Sequence, residues 1–174
     1  MQNQQPATGA VSSGSPVRLS EFATTAYDRL RILRQYRNVA IVGLSANPAR
    51  PSHFVAIYLL AEGYRVIPVN PRETTILGQT CYPSLRDVPE PVEVVDIFRD
   101  PQAVPAIVDD AIVISARVIW MQLGIINEAA ARTARAAGLE VVMDACMKIE
   151  HARFFGGLST LGLNTGLITA RRRI

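Results

Sequence analysis

Val39-Ala-Ile-Val-Gly-Leu-Ser-Ala-Asn-Pro-Ala-Arg-Pro-Ser52 decides the fold. Its first four residues are apolar with no polar alternation, the pattern of a parallel strand covered on both faces. Gly43 turns the chain, and Pro51 stands where a helix begins, because proline is tolerated in the first helical turn. That helix is predicted over Pro51 to Glu62, with Gly63 just past its C-terminus. A strand, a glycine turn and a helix form the first half of a β-α-β unit.

The rest of the chain repeats the plan. Tyr64-Arg-Val-Ile-Pro-Val69 reads as the second strand, in which Pro68 cannot donate to a ladder and belongs near the strand's end or at a bulge. Val92-Glu-Val-Val-Asp-Ile97 is the third, with a helix following between Pro101 and Asp110. Arg117-Val-Ile-Trp-Met121 is the fourth; Asn127 then caps an alanine-rich helix that stops at Gly138, and Glu140-Val-Val-Met143 is the fifth. The small side chains of Ala129, Ala130, Ala131, Ala134, Ala136 and Ala137 would let that helix sit close to a sheet. Ahead of the first strand, Phe22, Ala26, Leu30 and Leu33 recur at helical spacing with Ser20 as N-cap. Arg29, Arg31, Arg34 and Arg37 fall elsewhere on that wheel, most simply as a solvated face. Each parallel pairing needs a right-handed crossover. The expected fold is therefore α/β: a Rossmann-like, doubly wound, five-stranded parallel sheet with helices on both faces. Residues 1–17 have the composition of a disordered tail. The domain is expected over 18–155, and the glycine- and threonine-rich residues 156–174 form a C-terminal tail.

Composition narrows the function classes. At 174 residues, 49% hydrophobic and 19% charged, the chain suits one globular domain with a sizeable core. Arg171, Arg172 and Arg173 equal the whole net charge of +3. No basic cluster lies elsewhere, which argues against nucleic acid as a partner. The longest apolar runs, Val39 to Leu44 and Val55 to Ala61, fall far short of the roughly 18 residues of a membrane span. Met1-Gln-Asn-Gln-Gln-Pro lacks the basic flank and apolar stretch of a signal peptide, so the cytoplasm is the expected compartment, with Cys81 and Cys146 as free thiols.

In open α/β sheets ligands bind beyond the carboxyl ends of the strands, at the switch in strand order. Four segments lie there. In the first, Gly43 permits close backbone approach, Leu44 and Ala46 flank Ser45 with its hydroxyl donor, and Arg50 adds charge before a helix whose free N–H groups suit a phosphate. A plain tight turn accounts for the same residues. In the second, Asn70-Pro71-Arg72, an asparagine stands where a dinucleotide dehydrogenase carries an acid for the ribose hydroxyls. Arg72 suits a phosphate better than a free diol, pointing to a phosphorylated ribose or another nucleotide. Phe98 and Arg99, in the third, could meet an adenine ring, although Phe98 is also a natural core residue. Gln122-Leu123-Gly124, in the fourth, offers a carboxamide and backbone to the amides of a ligand arm; Trp120 is expected inside the sheet.

Six ordered motifs carry a resemblance: Val42 to Ser52, Val66 to Pro71, Tyr82-Pro-Ser-Leu85, Val95-Asp-Ile-Phe-Arg99, Trp120-Met-Gln-Leu-Gly124, and Met143-Asp-Ala-Cys-Met-Lys-Ile-Glu-His151. From about Ser20 to Phe154 the chain resembles the small stand-alone CoA-binding proteins, themselves similar to the CoA-binding domain of the succinyl-CoA synthetase α subunit. The resemblance implies coenzyme A or an acyl-CoA as ligand. It puts the phosphates on the Gly43 to Ser45 turn, Arg72 in the place of a basic residue that meets them, and Gln122 to Gly124 along the pantetheine. The phospho-histidine of the synthetases belongs to a different domain.

No catalytic constellation is visible. His53 reads as an exposed or helix-end histidine. Asp144, Cys146, Glu150 and His151 match no zinc spacing and read as a capped turn closing the last strand, so no metal is expected. The leading expectation is a non-catalytic CoA-binding module. The alternative is an NADP-linked oxidoreductase, from the strand-helix pattern and Arg72; a third reading docks a protein partner on the arginine-bearing first helix.

Overall fold

The computed structural model describes residues 24–155. The tails expected over 1–17 and 156–174 lie outside them, as do Ser20 and Phe22. In chain order the elements are α1 (Ala26–Gln35), β1 (Asn38–Val42), α2 (Pro51–Ala61), β2 (Arg65–Val69), β3 (Thr75–Ile76), β4 (Gln79–Thr80), β5 (Val94–Ile97), α3 (Val104–Val113), β6 (Val118–Met121), α4 (Glu128–Ala136), β7 (Glu140–Val142) and α5 (Met147–Phe155). Five strands form one sheet in the order β2-β1-β5-β6-β7, every pair parallel. This is the expected Rossmann-like arrangement. From β1 the chain moves outward to β2 and then returns to β5 on β1's other side. The switch in strand order therefore falls between β1 and β5.

Alternation along the strands divides the core between the two faces of the sheet. Ala40, Val42, Ile67, Val95 and Ile97 pack with Val104 and Val108 of α3 and with Ala130, Ala131 and Ala134 of α4. Val39, Ile41, Val94 and Trp120 pack with Leu33 of α1, Leu59 of α2 and Met147 of α5. Trp120 is fully buried, and its indole N–H donates to the Ala145 carbonyl at 2.7 Å. Of the six alanines expected against the sheet, Ala129, Ala136 and Ala137 are instead exposed, because a 3.6-residue period turns only one stripe inward. Asn127 caps α4 as anticipated, its side chain accepting from the Ala130 N–H at 2.9 Å.

Pro68 needs no bulge. It lies in regular register opposite Ile41 on the edge strand, and its carbonyl accepts outward from Tyr82 N–H at 3.0 Å. Its missing N–H falls on that same outer edge, where the β1 ladder needs no donor.

Three expectations are corrected. α1 starts at Ala26 under a capping box in which Thr25 Oγ1 accepts from Asp28 N–H at 3.1 Å and Thr25 N–H donates to the Asp28 carboxylate at 3.0 Å. Of the four arginines read as a solvated face, Arg34 and Arg37 are exposed, whereas Arg29 and Arg31 are drawn into ion pairs. Arg29 pairs with Glu150 at 2.7 Å, Arg31 pairs with Glu140, and Arg34 and Arg37 lie over the rings of Phe155 and Tyr64. Arg29 and Arg31 tie α1 to α5 and β7. Finally, the segment read as a capped turn contains α5, whose Glu150, His151 and Arg153 are buried. The run gave no sign of a buried helix, because the charge of Glu150 is met by Arg29, far away in sequence. The β3–β4 hairpin also escaped notice, since Leu77 takes φ +52° at its turn, where glycine or asparagine is the usual signal.

Candidate functional site

Gly43 stands at the switch point. Its N–H donates to the Val69 carbonyl and the neighbouring Phe98 N–H donates to the Val42 carbonyl, both at 2.9 Å, so β2, β1 and β5 are tied together where their ends meet. Gly43 has φ +89°, and a Cβ there would lie 2.8 Å from Arg99 Cδ and 2.9 Å from the Phe98 carbonyl oxygen. Only glycine fits.

The loop after Gly43 is held by its own polar groups. Ser45 Oγ accepts from Asn47 N–H, and Ser45 N–H donates to Ser52 Oγ, each at 3.1 Å. His53 Nδ1 lies 2.8 Å from the Ser45 carbonyl, which requires that nitrogen to carry the proton. His53 is thus at a helix end, as anticipated, but it is buried rather than exposed. α2 begins at Pro51 with Arg50 as N-cap and no side-chain cap on its first N–H groups. Ala46 and Arg50 are exposed, whereas the Leu44 side chain is in the core and offers only backbone.

Asn70 staples two loops. Its Nδ2 donates to the Leu44 carbonyl at 2.8 Å and its Oδ1 accepts from Arg72 N–H at 3.0 Å. Pro71 and Arg72 are exposed beyond it.

Over the ends of β1 and β2 opens a cleft of about 260 Å³, walled by Val42, Val69, Pro71, Leu85 and Ile107, with Gly43 at its floor and Arg99 at its margin. The structure brings Gly43, Pro71 and Arg99 together here. The Pro83-Ser84-Leu85 segment and the Ala103, Ala106, Ile107 and Asp110 side of α3 complete the walls and were not foreseen as site residues. The Tyr82 to Leu85 motif was the available signal.

Gln122, Leu123 and Gly124 sit beyond β5, away from this cleft. Gln122 is buried, and its Nε2 donates to Asp96 Oδ1 at 2.7 Å. Burial pushes the Asp96 carboxyl up to about 8, against the Gln122 hydrogen bond, which acts downward. Gly124 N–H donates to Asp144 Oδ1 at 2.8 Å. Phe98 is half-buried against the α2 side of the core. The sequence-derived residues therefore fall on both sides of the switch point, joined through Gly43, Phe98 and Arg99. Burial also raises the Cys146 thiol, which keeps it protonated near neutral pH. Among the described residues no group of three His, Cys, Asp or Glu side chains could hold a metal ion, and no helix is long and apolar enough to cross a membrane.

The profile of the CoA binding domain matches residues 37–152. The chain is 36% identical over 121 residues to the Bacillus subtilis protein YneT, an alignment that spans 70% of this chain and 90% of that one. A hypothetical protein from Pyrococcus horikoshii OT3 superposes with TM-score 0.74 at 37% identity, covering 88% of this chain and 98% of that chain. The dinucleotide-forming acetyl-coenzyme A synthetase 1 of Ca. Korarchaeum cryptofilum superposes with TM-score 0.59 at 26% identity, over 66% of this chain and only 27% of the synthetase. The relation thus extends to CoA ligases and synthetases as a group, rather than to the succinyl-CoA synthetase α subunit in particular.

Proposed function

The chain belongs to the CoA binding domain family, and from that premise we propose that it binds coenzyme A or an acyl-CoA across the ends of β1, β2, β5 and β6 as a module that does not itself catalyse a reaction. The observation that carries this reading is the junction at Gly43. There an apolar cleft on one side meets a loop and an uncapped helix start on the other, with the Arg99 side chain packed over the glycine between them. An extended ligand with an apolar end, a dense anionic middle and a polar arm suits such a junction. In this reading the diphosphate lies on the turn Gly43-Leu44-Ser45-Ala46 and the Ser52 N–H at the start of α2, with Arg50, Arg72 and Arg99 supplying charge. Asn70 and Pro71 hold the loop beside it, Phe98 supports the floor, and the Gln122 to Gly124 turn lies along the pantetheine arm, shaped by the buried Gln122–Asp96 bond and the Gly124–Asp144 bond rather than offering those groups to the ligand. The protein's role is then to hold the thioester or thiol, with chemistry supplied by another catalyst. In the synthetase the matched region is about a quarter of the chain, which leaves most of that enzyme without a counterpart here.

Calorimetric titration with CoA, acetyl-CoA, NAD and NADP tests this. CoA-type ligands should bind tightest; tighter NADP binding would favour an NADP-linked oxidoreductase and overturn the proposal.

A further inference from the structure

The last strand of the sheet ends beside the turn along which the ligand arm lies, and a thiol stands there. Asp144 Oδ1 accepts from Gly124 N–H at 2.8 Å, and Ala145 N–H donates to the Met121 carbonyl at 3.3 Å, so the segment after β7 is tied to the end of β6. Cys146 follows directly, half-buried against the core on the α5 side of the sheet. The backbone N–H groups of Ile149 and Lys148 turn toward its sulfur at the start of α5.

Asp96 bears on the same thiol. Alternation along β5 turns Asp96 to the face of Val94, the face on which Ile41, Trp120, Met147 and Cys146 pack. Gln122 occupies one carboxyl oxygen, and the other is buried with no partner. An unsatisfied buried carboxyl oxygen costs stability and is uncommon away from functional sites. Burial pushes the Cys146 thiol up, the Ile149 N–H opposes this, and the Asp96 charge adds to the rise, so carboxyl and thiol lie within electrostatic reach.

The length of the ligand brings its sulfur to this place. With the diphosphate on the Gly43 turn, the arm crosses β5 and β6 toward β7, three strand spacings or about 14 Å. From phosphate oxygen to sulfur the arm has about a dozen bonds and reaches as far as roughly four extended residues, also about 14 Å. Its sulfur then ends at the start of α5. Cys81, the other cysteine, lies beside Asn70 after β2, on the opposite side of the Gly43 turn.

Resting on the CoA reading of the site, we propose that Cys146 is a covalent attachment point for CoA, which it holds as a mixed disulfide formed by exchange with CoA disulfide. The free Asp96 oxygen takes the Cys146 proton, and the thiolate, facing the N–H groups of α5, attacks the sulfur of the bound half of the disulfide. A bond forms between Cys146 Sγ and that sulfur, the original S–S bond breaks, and the second CoA leaves as a thiolate that regains the proton. Cys146 is oxidised and the departing CoA reduced. The exchange is driven by the nearness of the bound sulfur, and it stops at one CoA per chain without turnover.

Intact-mass spectrometry of the reduced full chain with CoA disulfide tests it at about pH 8, where the Asp96 carboxyl begins to release its own proton. Calorimetric CoA binding is measured alongside. One CoA should add, at Cys146 and not at Cys81 by peptide mapping, and dithiothreitol should remove it. Saturating acetyl-CoA, whose sulfur is blocked, should slow the addition at least about tenfold, and oxidised glutathione, which lacks the nucleotide, should react at least about tenfold more slowly than CoA disulfide. Asp96→Asn should also slow it at least about tenfold. A protein that binds CoA yet gains no adduct, or gains it equally at Cys81 or equally from glutathione, overturns the attachment alone. A protein that binds no CoA overturns the reading of the site and the attachment with it. Addition to Asp96→Asn at the wild-type rate overturns the proton transfer to Asp96.

Discussion

Gln122 donates to Asp96 across 2.7 Å inside the sheet, and the second carboxyl oxygen of Asp96 is buried with no partner. The contact joins β5 to the segment after β6, so the turn that begins at Gln122 rests on a carboxyl that burial holds neutral up to about pH 8. The unfolded chain releases that proton near the ordinary aspartate value of ~3.9. Because the folded pKa is the higher one, the group's contribution to stability is full below about pH 4 and is lost as pH rises through about 8, at about 1.4 kcal/mol per unit between. Asp96→Asn keeps an acceptor for Gln122 and has no proton to lose. Its melting temperature should exceed that of the wild type by a margin that widens from about pH 5 to about pH 8. A constant margin would mean that the carboxyl is already ionised in the fold.

Glu150 illustrates the opposite case, a buried acid with cations on two sides. Arg29 lies 2.7 Å away, and Arg153 lies 3.3 Å away without hydrogen-bond geometry, all three side chains being almost wholly covered. Glu150→Ala strands two buried cations and should cost about 3–5 kcal/mol in urea unfolding, the usual consequence of breaking a buried pair. A loss below about 1 kcal/mol would show the clasp between α1 and α5 to be open in solution.

Gly43→Ala should fail twice. The backbone there has φ +89°, and the new methyl would meet Arg99 Cδ and the Phe98 carbonyl inside 3 Å. The arginine can swing aside, but the carbonyl belongs to Phe98, whose N–H is held by the Val42 carbonyl directly after β5, and cannot. A stability loss of about 1–3 kcal/mol is expected, together with a larger loss of CoA affinity than Gly63→Ala, at a glycine whose added methyl would meet nothing within 4 Å. Equal affinities in the two variants would detach the ligand from the switch point.

The sheet was legible because its strands are nearly uninterrupted apolar runs broken by helix starts and glycine stops. The reading of Val39 to Gly43 set the topology, and with it the edge at which to look. Most of the candidate cleft was not legible. Leu85 and Ile107 wall it through plain apolar side chains, which in a sequence look like any core residue. Asp96, likewise, stood in a strand where nothing marked it as buried beneath Gln122. α5 was missed because its helix is polar in sequence and buried in space, with Glu150 neutralised by an arginine more than a hundred residues earlier. Such long-range charge pairing leaves no periodicity to read.

Ser45 is half-buried, and its hydroxyl oxygen already accepts from Asn47 N–H, which leaves the hydroxyl proton for a ligand oxygen. Ser45→Tyr puts a ring into the approach to the α2 start while leaving the strands untouched. Ligand affinity should fall at least about tenfold, or 1.4 kcal/mol, with the circular dichroism spectrum unchanged. Unaltered CoA affinity would reduce the loop to a turn.

Arg72 is the exposed guanidinium that the Asn70 turn presents beyond β2, with no ion pair among the described residues. CoA carries a 3′-phosphate as well as a diphosphate, and a guanidinium can meet either with paired hydrogen bonds. Arg72→Ala should weaken CoA by about 1.5–3 kcal/mol, the usual worth of a hydrogen bond to a charged group, and dephospho-CoA by less if the 3′-phosphate is its target. Wild-type binding should also weaken with added salt, because an exposed pair is screened. Comparing two ligands on two proteins cancels any general loss of stability. Equal losses would move Arg72 toward the diphosphate, where Arg99 across the Gly43 junction is the second cation to remove. No loss for either ligand would leave Arg99 and Arg50 to carry the charge.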